Sequence, residues 1–162
     1  MRAPTPASLV LFALALLVAA PASAQPDPLA AIADADPMEL ARVVDRLGDD
    51  AVLSRLDDAR PREVRLAATR AAPFMAWPEL ALEPLARLAA SRDPLLAPAA
   101  ASAALTIARS LDPDALRRRE VDPASLSAAR GLFAALSTER SARADLRAAG
   151  SMIASLLEQL GG

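Results

Sequence analysis

From residue 36 on, Asp-Pro dipeptides punctuate this chain at Asp36-Pro37, Asp93-Pro94, Asp112-Pro113 and Asp122-Pro123. Each joins a residue whose carboxylate accepts the N–H groups left over in a helix's first turn to one whose missing N–H is not needed there. Asp36-Pro37-Met38-Glu39 also has the spacing of a capping box, with a glutamate three residues after the cap. These sites predict helix starts.

Between and after them, apolar residues recur at the three- and four-residue spacing of one helix face. Leu40, Val43, Val44 and Leu47 form a stripe that Gly48 is placed to end. A short helix is expected over 49–58, with Val52, Leu53 and Leu56 inward. Over 61–73 the inward residues are Val64, Ala67, Ala68 and Ala71; over 78–91 they are Leu85, Leu88 and Ala89, with Glu83 and Arg87 paired outward. The segment 94–111 presents Ala101, Ala104, Leu105 and Ala108; 123–136 presents Leu126, Ala129, Phe133 and Leu136. The last, 141–160, presents Leu146, Ala149, Ile153, Leu156, Leu157 and Leu160. Pro84 and Pro98 either begin helices or kink them, since a proline clashes with the carbonyl four residues back. Nothing alternates with a period of two, so the expected fold class is all-α.

The chain begins differently. Met1–Ala24 has Arg2, then the 12-residue apolar run Leu9–Ala20, then Pro21 and the small-x-small triplet Ala22-Ser23-Ala24 before Gln25. That is the layout of a secretory signal peptide, cleaved between Ala24 and Gln25. The run is short of the ~20 apolar residues a membrane span needs, and with no cysteine there is no lipid attachment site. The expected product is exported, to the periplasm or beyond, without a stable membrane anchor. Residues 25–36, rich in Pro, Asp and Ala, read as a flexible lead, and 37–160 as the folded domain.

All 18 basic residues are arginine, and Lys, Asn, Tyr, His and Cys are missing. The skew follows the codon usage of a GC-rich bacterial coding sequence. Without Arg2, 17 arginines face 20 acids, a net charge of −3. A slightly acidic domain without an aromatic platform is not built to bind nucleic acid.

The helices invite a test for internal repeats. At an offset of 33, Pro61 meets Pro94, and Ala67, Ala68 and Ala71 meet Ala100, Ala101 and Ala104. A weaker echo lies at Leu146-Arg147-Ala148-Ala149. The stretch from Asp57 through Pro61, Val64 and Arg65 to Ala68 resembles the signature of the HEAT-repeat family: a turn carrying Asp and Pro, then a Val-Arg pair, then an Ala-rich second helix. In the second copy Ala97 and Pro98 stand in place of Val64 and Arg65. The resemblance, centred on 57–110, implies a short α-solenoid of stacked antiparallel hairpins and a structural pair between Arg65 and Asp57 or Asp58. The alternative architecture is a plain antiparallel helix bundle.

Catalytic equipment is sparse. His and Cys, the commonest acid–base and nucleophilic groups, are missing. Ser102, Ser125 and Ser151 have no base beside them in sequence and no nucleophile-elbow motif. Asp49-Asp50 and Asp57-Asp58 are adjacent pairs that suit caps and turns better than a metal site. Glu79 and Glu83 would share a face if one helix ran unbroken past Pro84, the one arrangement suited to paired-carboxylate chemistry. Trp77 reads as a staple beside Phe74 or as an exposed anchor. Arg117-Arg118-Arg119 reads as a helix end, where positive charge suits the dipole.

These readings assign no catalytic, cofactor-binding or metal-binding residue, and no cofactor. The expected role is a non-catalytic interaction module with a protein or peptide partner, its candidate contacts being Arg62, Arg65, Arg70 and Trp77. Two alternatives stand beside it. One is a structural envelope protein that self-associates as a homo-oligomer. The other is an enzyme resembling the HEAT-like lyases that attach bilins, a chemistry for which the chain lacks His, Tyr and Cys.

Overall fold

The computed structural model describes residues 27–32 and 36–160. The expected signal segment, with its Ala24–Gln25 cleavage site, lies outside them. The described chain is all-helical: α1 Pro37–Leu47, α2 Asp49–Leu53, α3 Arg62–Ala71, α4 Leu82–Ala89, α5 Leu96–Ser110, α6 Pro113–Arg118, α7 Pro123–Thr138 and α8 Ala144–Leu160. Three 3-10 turns, Ala30–Ile32, Ala72–Phe74 and Pro78–Ala81, accompany them. No strand occurs among the described residues.

The capping aspartates act as their chemistry requires. The Asp36 carboxylate accepts from the Met38 and Glu39 N–H groups, that of Asp112 from Asp114 and Ala115, and that of Asp122 from Ala124. Asp93 accepts from Leu95 and Leu96 at 2.9 and 3.0 Å, yet α5 begins only at Leu96, after a turn through Pro94. Pro84 and Pro98 are each the third residue of their helix. The first four N–H groups of a helix have no partner within it, so neither proline costs a bond and neither helix is interrupted.

Two expectations are corrected. The helix expected over 49–58 stops at Leu53, and the chain continues through turns that still bury Leu56. The lead expected to be flexible over 25–36 is packed where it is described. Asp27 pairs with Arg55 at 2.8 Å and accepts from the N–H of Leu29, whose side chain is fully buried. The turn that follows, Ala30–Ile32, lies on α3. Leu29 and Ile32, one turn apart in a stretch rich in Pro, Asp and Ala, make too short a stripe for sequence patterning to register.

Helix α4 packs on α5, and α7 on α8, each pair joined by a short turn and therefore antiparallel. Across these pairs α4 touches α7, while α5 touches both α3 and α8. The helices thus lie in two rows, α4 and α7 in one, α3, α5 and α8 in the other, with α1 and α2 at the α3 end. Helix α5 is enclosed by α3, α4 and α8, and buries Leu96, Ala97, Ala100, Ala101, Ala103, Ala104, Ile107 and Ala108. Alanine on several sides of one helix lets three neighbours approach closely, while Ser102, Thr106 and Arg109 keep one edge exposed.

Local backbone geometry sets two corners. Gly48, between α1 and α2, adopts φ 80° and ψ 159°, a region essentially restricted to glycine. After α6, Glu120 takes φ 53°. Its N–H donates to the Arg117 carbonyl at 3.2 Å and that of Val121 to the Leu116 carbonyl at 3.3 Å, the bonding of a Schellman motif. Glycine is the residue that adopts this conformation without steric cost. Glu120→Gly is therefore expected to stabilise the protein by roughly 0.5–1 kcal/mol, read from the urea midpoint; a lower midpoint would contradict it.

Candidate interaction site

Helix α3 and helix α4 are separated by the segment 72–81, in which two 3-10 turns flank Met75, Ala76 and Trp77. Met75 is buried, whereas Trp77 keeps 41% of its surface exposed. The loop is pinned by Asp49, the first residue of α2. Its two carboxylate oxygens accept from the Ala76 N–H at 3.1 Å and the Trp77 N–H at 2.8 Å. Trp77 is thus an exposed ring on a fixed backbone, at the rim of a recess shared with Leu47, Gly48 and Phe74.

Pro78 opens the second 3-10 turn, and its tight winding turns Glu79 inward while Leu80 faces solvent. Glu79 is 4% exposed, and neither of its carboxylate oxygens has a hydrogen-bond partner. The cation beside it is Arg119, just beyond α6, whose Nη1 stands 3.6 Å from Glu79 Oε1. The same Nη1 donates to the Ala76 carbonyl at 3.1 Å, and the guanidinium lies 5.1 Å from the centroid of the Trp77 ring. A buried carboxylate costs several kcal/mol unless a counter-charge stands close, so Arg119 is what makes this position tolerable. Three surfaces that attract a planar cation meet here: an aromatic face, a carbonyl and a carboxylate.

Glu83 does not join Glu79. Helix α4 begins only at Leu82, and Glu83 pairs with Arg87 one turn on, as the sequence spacing predicts. The two carboxylates therefore serve separate arginines. Among the described residues, no group of three or more acidic side chains converges on a metal position. The Arg117–Arg119 run is likewise divided: Arg117 meets Asp114, Arg118 meets Asp112, and Arg119 leaves for the Trp77 loop.

The three arginines proposed from sequence as partner contacts all lie on α3. Arg62 and Arg65 stand in its first half, about 9 Å or more along the helix axis from its last residue. Arg65 pairs with Asp58 at 3.0 Å, the contact that the turn signature implies. Arg62 forks onto Asp93 at 2.6 and 3.0 Å, tying α3 to the turn that precedes α5. Arg70, in the last turn, is exposed. Of the set, Arg62 meets Asp93 across 31 residues, and Trp77 stands in a cluster with Arg119, which also faces Glu79.

The Arg62 guanidinium and the Leu96 and Leu95 N–H groups hold the Asp93 carboxyl well below its usual range. A carboxyl depressed in the folded state stabilises above its unfolded pKa, and that stabilisation fades as pH falls toward the folded one. Asp93→Asn is expected to lower the urea midpoint at pH 7, with a smaller deficit below about pH 4, where the unfolded carboxyl begins to protonate. Equal deficits at pH 7 and pH 3 would contradict the pair's role.

Two open grooves lie elsewhere. One, of about 510 Å3, separates the turn after α4 from the turn after α7 and is lined by Pro94, Leu132, Leu136 and Leu146 among others. The other, of about 380 Å3, lies where α6 and α7 meet the end of α8, over Leu116, Val121, Leu126, Leu157 and Leu160. No helix among the described residues is long and apolar enough to cross a membrane. No protein-family model, curated protein or solved structure matches this chain.

Proposed function

We propose that this chain is an exported, non-catalytic interaction module, built as a short HEAT-like stack of helical hairpins that presents Trp77 to a protein or peptide partner. The observation that carries the reading is the exposed indole on an immobilised loop. Trp77, the chain's one tryptophan, leaves 41% of its surface uncovered, and tryptophan is among the residues most enriched at binding hot spots. The two-row packing of α4 and α7 against α3, α5 and α8 supports the solenoid, because in a stack each hairpin touches mainly its neighbours. The Arg65–Asp58 pair supports the family resemblance.

The test is a photo-reactive residue at exposed Leu80, introduced into the protein as its producing cell makes it. One discrete adduct is expected, and Trp77→Ala is expected to weaken it about 30-fold, the equivalent of a hot-spot loss of about 2 kcal/mol. An adduct pattern unchanged by Trp77→Ala would sink the reading. Export predicts that the purified envelope form begins at Gln25; a product starting at Met1 would count against it.

A second reading, self-association, has its own observation. The last hairpin leaves Leu132 and Met152 exposed, with 37% and 46% of their surfaces uncovered. Light scattering across a concentration series is expected to give a mass above the monomer if these side chains pair between copies, and a constant monomer mass removes it.

A further inference from the structure

We infer that Trp77, the Ala76 carbonyl and the Glu79 carboxylate form a recognition site for a guanidinium group, occupied in the isolated chain by its own Arg119 and open to an arginine side chain of a partner. The inference rests on the proposed interaction role and names the chemistry of what Trp77 meets. Its starting point is an imbalance. Glu79 is buried with both oxygens lacking a hydrogen bond, yet the cation facing it stands at 3.6 Å, outside hydrogen-bond range. A guanidinium seated squarely on that carboxylate would form two parallel bonds. Arg119 forms neither, because Nη1 is already committed to the Ala76 carbonyl and its plane is drawn over the Trp77 ring.

Arg119 also reaches the site from the end of a short helix. It follows α6, a helix of six residues, and precedes Glu120 in its left-handed conformation. Its side chain keeps 41% of its surface exposed, against 1% for that of Glu79. The receptor half of the cluster is therefore fixed: Asp49 holds the backbone of Ala76 and Trp77, and the 3-10 turn holds Glu79. The ligand half is a side chain left 41% exposed, and an incoming arginine able to satisfy both carboxylate oxygens competes with it on better terms. Arginine rather than lysine is specified because an aromatic face, a carbonyl and a carboxylate arranged around one plane suit the planar fork and not a compact ammonium.

The experiment uses the full chain, with Trp77 emission as reporter, since this is the chain's one tryptophan. Ethylguanidinium is titrated into the unaltered protein, Arg119→Ala and the double variant Arg119→Ala/Glu79→Gln, with ethylammonium and sodium chloride as ionic controls. Arg119→Ala is expected to have a lower thermal midpoint, restored by ethylguanidinium with a saturable change in emission. Ethylammonium is expected to bind at least about tenfold more weakly, having one charge centre and no plane to stack. The unaltered protein is expected to respond at about tenfold higher concentration, because Arg119 competes. In the double variant the saturable response is expected to vanish with the carboxylate charge.

Should Arg119→Ala not fold, Arg119→Lys keeps the charge and is read in the same way, the ammonium being displaced by ethylguanidinium. An Arg119 variant that responds no better than the unaltered protein, or equally to both cations, overturns the inference. Loss of the Leu80 adduct in Trp77→Ala without any guanidinium response would leave the interaction role standing and remove this ligand alone.

Discussion

Phe133→Ala is expected to remove about 3–5 kcal/mol of stability, the largest loss expected from a single side chain among the described residues. Phe133 is fully buried and heads the interior residues by volume. It belongs to α7, which touches both its hairpin partner α8 and the preceding α4. Alanine leaves a cavity that the surrounding helices refill only in part, so the loss exceeds the transfer energy of the ring. The manner of unfolding is informative as well. Trp77 lies on the α3–α4 side, whereas Phe133 anchors the last hairpin. In a stack, hairpins are coupled only to their neighbours, and weakening the last one is expected to separate its melting from the rest. Far-UV circular dichroism should then fall at lower urea than Trp77 emission. In a bundle with one indivisible core the two signals would fall together. A loss below ~1 kcal/mol, the ordinary cost of a point substitution, would mean that α7 does not pack as described.

The second prediction pairs two glycines of the same hairpin. A Cβ on Gly150, in α8, would stand 2.8 Å from the Phe133 carbonyl, 3.2 Å from the Ser137 nitrogen and 3.4 Å from Leu136 Cβ. Two of these are backbone atoms of α7, which move only if the helices part. Overpacking of this kind costs about 1–3 kcal/mol, against a helix-propensity gain of about 1 kcal/mol for alanine over glycine. Gly150→Ala is expected to destabilise by up to about 2 kcal/mol on balance. Gly131, in α7, is exposed and has nothing within 4 Å of the same position. Gly131→Ala is expected to stabilise by roughly 0.5–1 kcal/mol through propensity alone. Urea midpoints of the two variants should therefore lie on opposite sides of the unaltered protein. A stabilised Gly150→Ala would show that α7 and α8 do not approach so closely.

Local chemistry made much of the helical architecture legible. Asp36, Asp112 and Asp122 each satisfy N–H groups two or three residues ahead, so the signal and its partner lie within one turn. The same holds for Gly48 at the end of α1 and for the Glu83–Arg87 pair. Stripes such as Leu126, Ala129, Phe133 and Leu136 marked which side of a helix turns inward because period and burial are linked by helix geometry alone. The short α2 was overestimated for a related reason: Leu56 is apolar and buried, but its backbone leaves the helix to make a turn, and spacing alone does not separate those cases.

The interaction site was only half legible. Trp77 stood out by composition, but its partners did not, because Asp49 lies 28 residues before it and Arg119 reaches the same loop from 43 residues beyond Ala76. In sequence Asp49 is one of two adjacent acids and Arg119 the end of a basic run. Glu79 looked like half of a surface pair with Glu83 until a 3-10 turn rotated it inward. By itself the sequence determined where helices start, where several stop and which faces are apolar, since caps and periodicity act over a few residues. Only the tertiary structure decided which glycine is a contact, which leucine of the lead is interior and which arginine meets the buried carboxylate. Those outcomes depend on how stacked helices bring together backbone and charge from distant segments, and no local spacing encodes that distance.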